Sequence, residues 1–225
     1  MRKLFFVFLL AMFLQISVSK ADNISDFYAE CSSNGGSIII VPITYYSCVG
    51  KIYICVIPTG STATTQNFRF SYGPFISNNS NCDMFSLNNL INPSFWTNIS
   101  SQILNHIASI PAYSPGDCSL EATSTNKQTF VTTEMFVCQK IINFGAPQNQ
   151  QMLVNCSTAN FCSITYSLCW RYSGQANSQK VLELVKISSS NQQSGWACPT
   201  ILPDMSNYNL SLPWETECFS LPCIN

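Results

Sequence analysis

Apolar positions in this chain recur with two periods, one of two residues and one of about four. The first predicts short strands and the second a single long helix. Ser37–Tyr46 (SIIIVPITYY) is β-branched and aromatic, and Pro42 within it suits an edge strand or a bulge. Lys51–Ile57 (KIYICVI) reads as a strand ending at Pro58 and Gly60, a turn signal. Across Asn67–Phe75, Phe68, Phe70 and Tyr72 alternate with Arg69 and Ser71, the period of a half-buried strand. Phe130–Phe144, Met152–Cys156 and Ile164–Tyr172 are further strands, and Val181–Ile187 fits a strand or a short helix equally. The helix spans Ser94 to Ile110. Phe95, Ile99, Ile103 and Ile107 line one side, and Asn98, Ser101, Gln102 and Asn105 form a polar stripe. Pro93 and Ser94 start it, Pro111 stops it, and His106 borders its apolar side.

The fold class is therefore mainly β: disulfide-stapled, β-sandwich-like, with one helix near 94–110. A polar Tyr113–Gly116 stretch divides the chain into a β-rich module over 22–112 with four cysteines and another over 113–225 with eight. A single domain over 22–225 is the alternative. A short parallel between the halves points to related modules. Cys31 precedes Tyr46-Ser-Cys48-Val-Gly-Lys51-Ile52 and Pro58, and Cys118 precedes Phe136-Val-Cys138-Gln-Lys140-Ile141 and Pro147.

Composition adds a location. Residues 1–21 have a basic start (Arg2, Lys3), an apolar run from Leu4 to Ile16, and Ser19 and Ala21 at positions suited to cleavage. That is the layout of a secretory signal peptide, and the run is shorter than the roughly 20 residues of a membrane span. Without Arg2, Lys3 and Lys20, 7 of the 10 cationic side chains remain against all 11 carboxylates, a formal charge of −4. The mature chain has no cationic cluster, so nucleic acid is excluded as a partner, and no later segment spans a membrane.

Twelve cysteines follow the signal: Cys31, Cys48, Cys55, Cys82, Cys118, Cys138, Cys156, Cys162, Cys169, Cys198, Cys218 and Cys223. An even count behind an export signal predicts disulfides. No Cys-x-x-Cys occurs and His106 is the only histidine, so no metal site and no cofactor are expected. Sequons at Asn23, Asn78, Asn98, Asn155 and Asn209 predict N-glycosylation of a chain short of charged residues.

Cys31 opens a Gly35-Gly36 pair, and an apolar strand, Pro42 and a tyrosine then lead to Cys48. Pro58-Thr-Gly60 closes the next strand, and an aromatic strand leads to Cys82-Asp83. With these elements the run Cys31–Asp83 resembles the first half of a CUB-type domain. It departs at Gly50, where an aromatic is usual, in the short Cys31–Cys48 spacing, in the extra Cys55 and in the helix at 94–110. The resemblance implies a jelly-roll-like sandwich used in extracellular binding and adhesion, with Cys31–Cys48 and Cys55–Cys82 bridges. It carries over no calcium site, because acidic ligands beyond Asp83 have no match.

For chemistry, the chain lacks a Gly-x-Ser-x-Gly elbow and phosphate-binding glycine loops. Carboxylates available for glycoside hydrolysis are Asp83, Asp117, Glu121, Glu134, Glu183, Asp204, Glu215 and Glu217, the last two placed to share a strand face. Aromatics are plentiful. Trp170 and Trp196 lie beside cysteines and read as core, whereas Trp214, in Leu212-Pro213-Trp214-Glu215, is the candidate binding residue. The expected function is a secreted, glycosylated binding, adhesion or structural protein without catalytic activity. Its partners would be an extracellular protein or a glycan, and it would self-associate through strand edges as a subunit of an extracellular assembly. The alternatives are a carboxylate-dependent hydrolase, and an inhibitor or toxin presenting the polar loop Gly174–Gln179.

Overall fold

The computed structural model describes residues 24–79, 82–172, 180–192 and 198–223. Residues 1–21, expected to be a signal peptide, Asn23, Trp196 and the loop Gly174–Gln179 lie outside them. Three strands form an antiparallel meander: β1 (Ser37–Tyr45), β2 (Cys48–Ser61) and β3 (Thr65–Ser77). The free edge of β3 is then shared by two partners. Thr65–Ser71 pairs in parallel with β4 (Gln128–Phe136), and Phe75–Ser77 pairs antiparallel with β6 (Gln151–Asn155). From β4 the sheet continues through β7 (Phe161–Tyr172) to β8 (Lys180–Gln192). From β6 it continues through β5 (Cys138–Asn143) to β9 (Trp214–Glu215) and β10 (Phe219–Ser220). The result is one hydrogen-bonded sheet that forks at β3.

The two branches are halves of one long hairpin. Cys156 N donates to Cys138 O and Val137 N to Asn160 O, so pairing runs from β5–β6 into β4–β7 past the extra residues 157–159. Beside β3 the two arms exchange places: β4 is its neighbour at one end and β6 at the other. The C-terminal segment is tied across this crossing by Cys138–Cys198, Cys156–Cys218 and Cys162–Cys223.

A parallel β3–β4 pair needs a crossover connection. Residues 78–127 supply it, with α2 (Leu87–Leu90) and α3 (Pro93–Ala108). Asn92 caps α3 by accepting from Ser94 N at 2.9 Å, and Pro93 occupies its first turn. The helix ends before Ile110, which Pro111 holds extended at ψ 125°. Phe95, Ile99, Ile103 and Ile107 are all buried against Ile43, Ile52, Phe70 and Val131. Each such side chain contributes about 1.5–3 kcal/mol. On the opposite face a helix over 24–33, α1, lays Phe27 against Gly73 and is stapled to β2 by Cys31–Cys55. An added Cβ at Gly73 would meet the Phe27 ring at 2.3 Å.

The chain is mainly β and disulfide-stapled, as the sequence predicts, and several local expectations are corrected. Pro58 and Gly60 do not end β2, which continues to Ser61 through a register shift at those two residues. β1 no longer runs beside β2 there, so Pro58 has a neighbouring strand on the β3 side alone. Phe130–Phe144 divides at Val137 into β4 and β5, and Val181–Ile187 belongs to a strand. The bridges Cys31–Cys55 and Cys48–Cys82 replace the pairing that the CUB resemblance implies. With Cys118–Cys169, all six bridges close within 31–82 or within 118–223, whereas the sheet and the main core run through both. The repeated run begins a strand in each half, β2 and β5, but only β2 lies beside β3.

Candidate groove between α3 and the β4–β7–β8 branch

Helical spacing turns Thr97, Ser100, Ser101 and Leu104 to the flank of α3 beside its buried stripe. Strand alternation turns Thr133 and Met135 of β4, and Cys162, Ile164 and Tyr166 of β7, toward that flank. Leu184 of β8 and Tyr72 of β3 complete a groove of about 240 Å³. At its base the buried Tyr72 hydroxyl donates to Ser100 Oγ at 3.0 Å. Burial pushes the Tyr72 phenol far above its ordinary range, with the Ser100 bond pulling weakly the other way. Burial also raises Tyr166. Both rings therefore stay neutral at physiological pH. Among the described residues no carboxylate, lysine, arginine or histidine lines the groove, so these present apolar walls, a few hydroxyls and no charge.

The residues singled out from the sequence are dispersed. Trp214 is half-buried: its ring packs on Tyr208 at 4.4 Å and its Nε1 donates to Asn209 O at 3.1 Å. Trp170 is also half-buried, donating to Ser114 Oγ at 3.0 Å. The carboxylates take separate structural partners. Glu215 pairs with Lys140 at 3.0 Å, Glu183 pairs with Arg171, and Glu134 accepts from Ser71 at 2.8 Å beside Arg69. Ser119 donates through its hydroxyl and its backbone N–H to Asp117, and this holds that carboxyl below its usual range. Backbone and side-chain bonds from Ser206 do the same for Asp204. Glu121 and Glu217 are exposed, and the Asp83 side chain lies outside the described residues. His106 is half-buried on α3 and does not line the groove. Among the described residues, the only grouping of metal-type donors is Cys118, Cys169 and Glu183. Its sulfurs are already joined in a disulfide.

Asn78, Asn98 and Asn209 are exposed, but Asn155 is built into the fork of the sheet. Its Nδ2 donates to Tyr72 O at 3.1 Å, and its Oδ1 accepts from the buried Gln139 Nε2 at 2.8 Å. The Tyr72 carbonyl lies between the end of the β3–β4 ladder and the start of the β3–β6 ladder, so this side chain supplies a bond that neither strand makes. The groove itself was invisible in the sequence. Thr133, between Val131 and Met135 on its face of β4, was its faintest trace, and only the docking of α3 gives it meaning. Compared with known proteins, the chain matches no family model, no curated protein and no solved structure. Among the described residues no helix is long and apolar enough to cross a membrane.

Proposed function

We propose that this chain is an extracellular, N-glycosylated binding protein without catalytic activity, whose ligand is a small apolar molecule seated in the groove beside α3. The observation that carries this reading is the lining: apolar side chains and neutral hydroxyls around about 240 Å³, with no ionised group. Such walls exclude water and hold an apolar body, while a few polar atoms orient it. They lack the paired carboxylates or the nucleophile and base that a hydrolase uses. Six disulfides support an oxidising compartment. The exposure of Asn78, Asn98 and Asn209 supports glycans at these three, with Asn155 bare.

Native mass spectrometry with 1-decanol tests the site. The probe binds the wild type one to one and fails to bind Ser101→Trp, whose indole fills the mouth. Equal binding to both proteins would remove the groove from the reading. Intact mass before and after deglycosylation of protein secreted from a eukaryotic host tests the glycans.

A specific contrast favours self-association as a second property. The outer edge of β1 is closed at Thr44, whose N–H and C=O both bond the Gln102 side chain of α3 at 2.9 and 2.8 Å. The outer edge of β8 pairs with no strand among the described residues and exposes Val181, Val185 and Ile187. Open edges of this kind pair with other strands. Concentration-dependent association that disappears in Ile187→Lys is the expected result, and a strictly monomeric wild type at high concentration would end the idea.

A further inference from the structure

The groove is lined along one side by Leu184 of β8, and Lys186 of the same strand makes no ion pair among the described residues. Lys186 stands directly across from Tyr166 in the β7–β8 register, so the two side chains share a sheet face. Tyr166 lines the groove, and so does Leu184, two residues from Lys186 along β8. Arg69, Lys140 and Arg171 each lie beside a glutamate, and Lys180 lies over the Tyr172 ring. Lys186, by contrast, makes no ion pair among the described residues and is exposed. The nearest acid on its own strand, Glu183, is opposite Cys169 on the other face and is bound to Arg171. Among the described residues an apolar slot lined by no charge thus opens beside a cation that makes no ion pair.

Resting on the groove reading above, we propose that its ligand is an amphiphilic anion: an aliphatic tail between α3 and the sheet, and a carboxylate-type head beside Lys186. A cavity of about 150 Å³ holds one benzene, so about 240 Å³ suits a tail of roughly ten carbons. The polar atoms at the base, Tyr72 and Ser100, already bond each other and place no charge against that tail. The Coulomb gain at an exposed lysine is modest, and it acts on the head alone. Head-group preference and tail binding are therefore separable.

The experiment compares decanoate, 1-decanol and decyltrimethylammonium, each below its micellar concentration, at pH 7. The full chain is used as wild type, Lys186→Gln and Ser101→Trp, with Thr97→Trp as the blocking variant if Ser101→Trp does not fold. Decanoate is expected to bind the wild type about threefold to fivefold more tightly than decanol, and the cationic probe more weakly than either. Lys186→Gln brings decanoate to the level of decanol and leaves decanol within a factor of about two. Equal affinity of the two probes for the wild type, or decanoate binding untouched by Lys186→Gln, overturns the anion proposal while the groove stands. Loss of neither probe in the blocking variants, or no binding of any probe to the wild type, overturns both.

Discussion

Two side chains at the centre of the sheet, Asn155 and Tyr72, contribute in different ways, one by hydrogen bonds and one by a buried phenol. Asn155 spends both ends of its amide on the fork, one on Tyr72 O and one on Gln139. Replacing it with alanine takes the side-chain donor from the Tyr72 carbonyl and the acceptor from one Gln139 N–H, while the same amide keeps its bond to Phe136 O, at a cost of about 1–3 kcal/mol for each group left unpaired. Chemical denaturation of Asn155→Ala should show a loss in that range, and an unchanged midpoint would mean that water heals the fork. Tyr72 responds to alkali. Burial raises its folded-state pKa, so its contribution is intact below the unfolded value of about 10. That contribution is lost as pH rises further, because the unfolded chain ionises first. Urea midpoints measured from pH 8 to 11.5 should fall above pH 10 more steeply in the wild type than in Tyr72→Phe. Parallel curves would place the alkaline sensitivity elsewhere. At neutral pH the same variant forfeits the Ser100 bond, about 0.5–1.5 kcal/mol.

Among the elements, α3 does the most for both fold and groove. It completes the crossover that lets β4 lie parallel to β3, buries its apolar stripe, and closes the β1 edge with Gln102. Ile103 is fully buried in that stripe. Ile103→Ala should cost about 2–5 kcal/mol through lost transfer energy and the cavity left behind. A calorimetric loss under 1 kcal/mol would mean that the helix packs loosely. The four-residue recurrence made α3 legible in the sequence, whereas α1 was not. Its run ISDFYAECSS puts Ile24, Phe27 and Cys31 at helical spacing over only ten residues, and what holds it is tertiary: Phe27 on Gly73 and the Cys31–Cys55 bridge. Strands with clear alternation were read to within a few residues. Val181–Ile187 stayed ambiguous because β8 is an edge strand with Val185 and Ile187 half exposed, which blurs the two-residue period.

For the molecule as a whole, the exchange of hairpin arms beside β3 is the organising feature, and three bridges surround it. Cys138, Cys156 and Cys162 lie within the crossing, and each is tied to the segment 198–223, whose Phe219 reaches the main core. Replacing Cys156 and Cys218 together by serine should lower stability by about 2–5 kcal/mol. It should also raise hydrogen exchange at β5 and β6 before β1 and β2, since only the first pair flanks the crossing. Uniform loosening across the sheet would contradict that assignment. The same geometry explains why the carboxylates and Trp214 did not assemble into a site. Glu134, Glu183 and the adjacent Trp214 and Glu215 lie on β4, β8 and β9, whose neighbours the crossing decides, and these three glutamates took the cations that arrived.

By itself, the sequence determined the local terms. Period and β-branching set most of the strands, a cap and a proline set α3, and the even cysteine count set the disulfide framework, because each depends on neighbours within a few residues. Tertiary structure alone decided which strands meet, which cysteines pair, that Asn155 is a structural amide, and that Tyr72, Tyr166 and Leu184 face α3 across a groove. Those outcomes follow from contacts between residues far apart in the chain. Their energies come from burial and from backbone groups that had to find partners at the fork, and no local pattern encodes either.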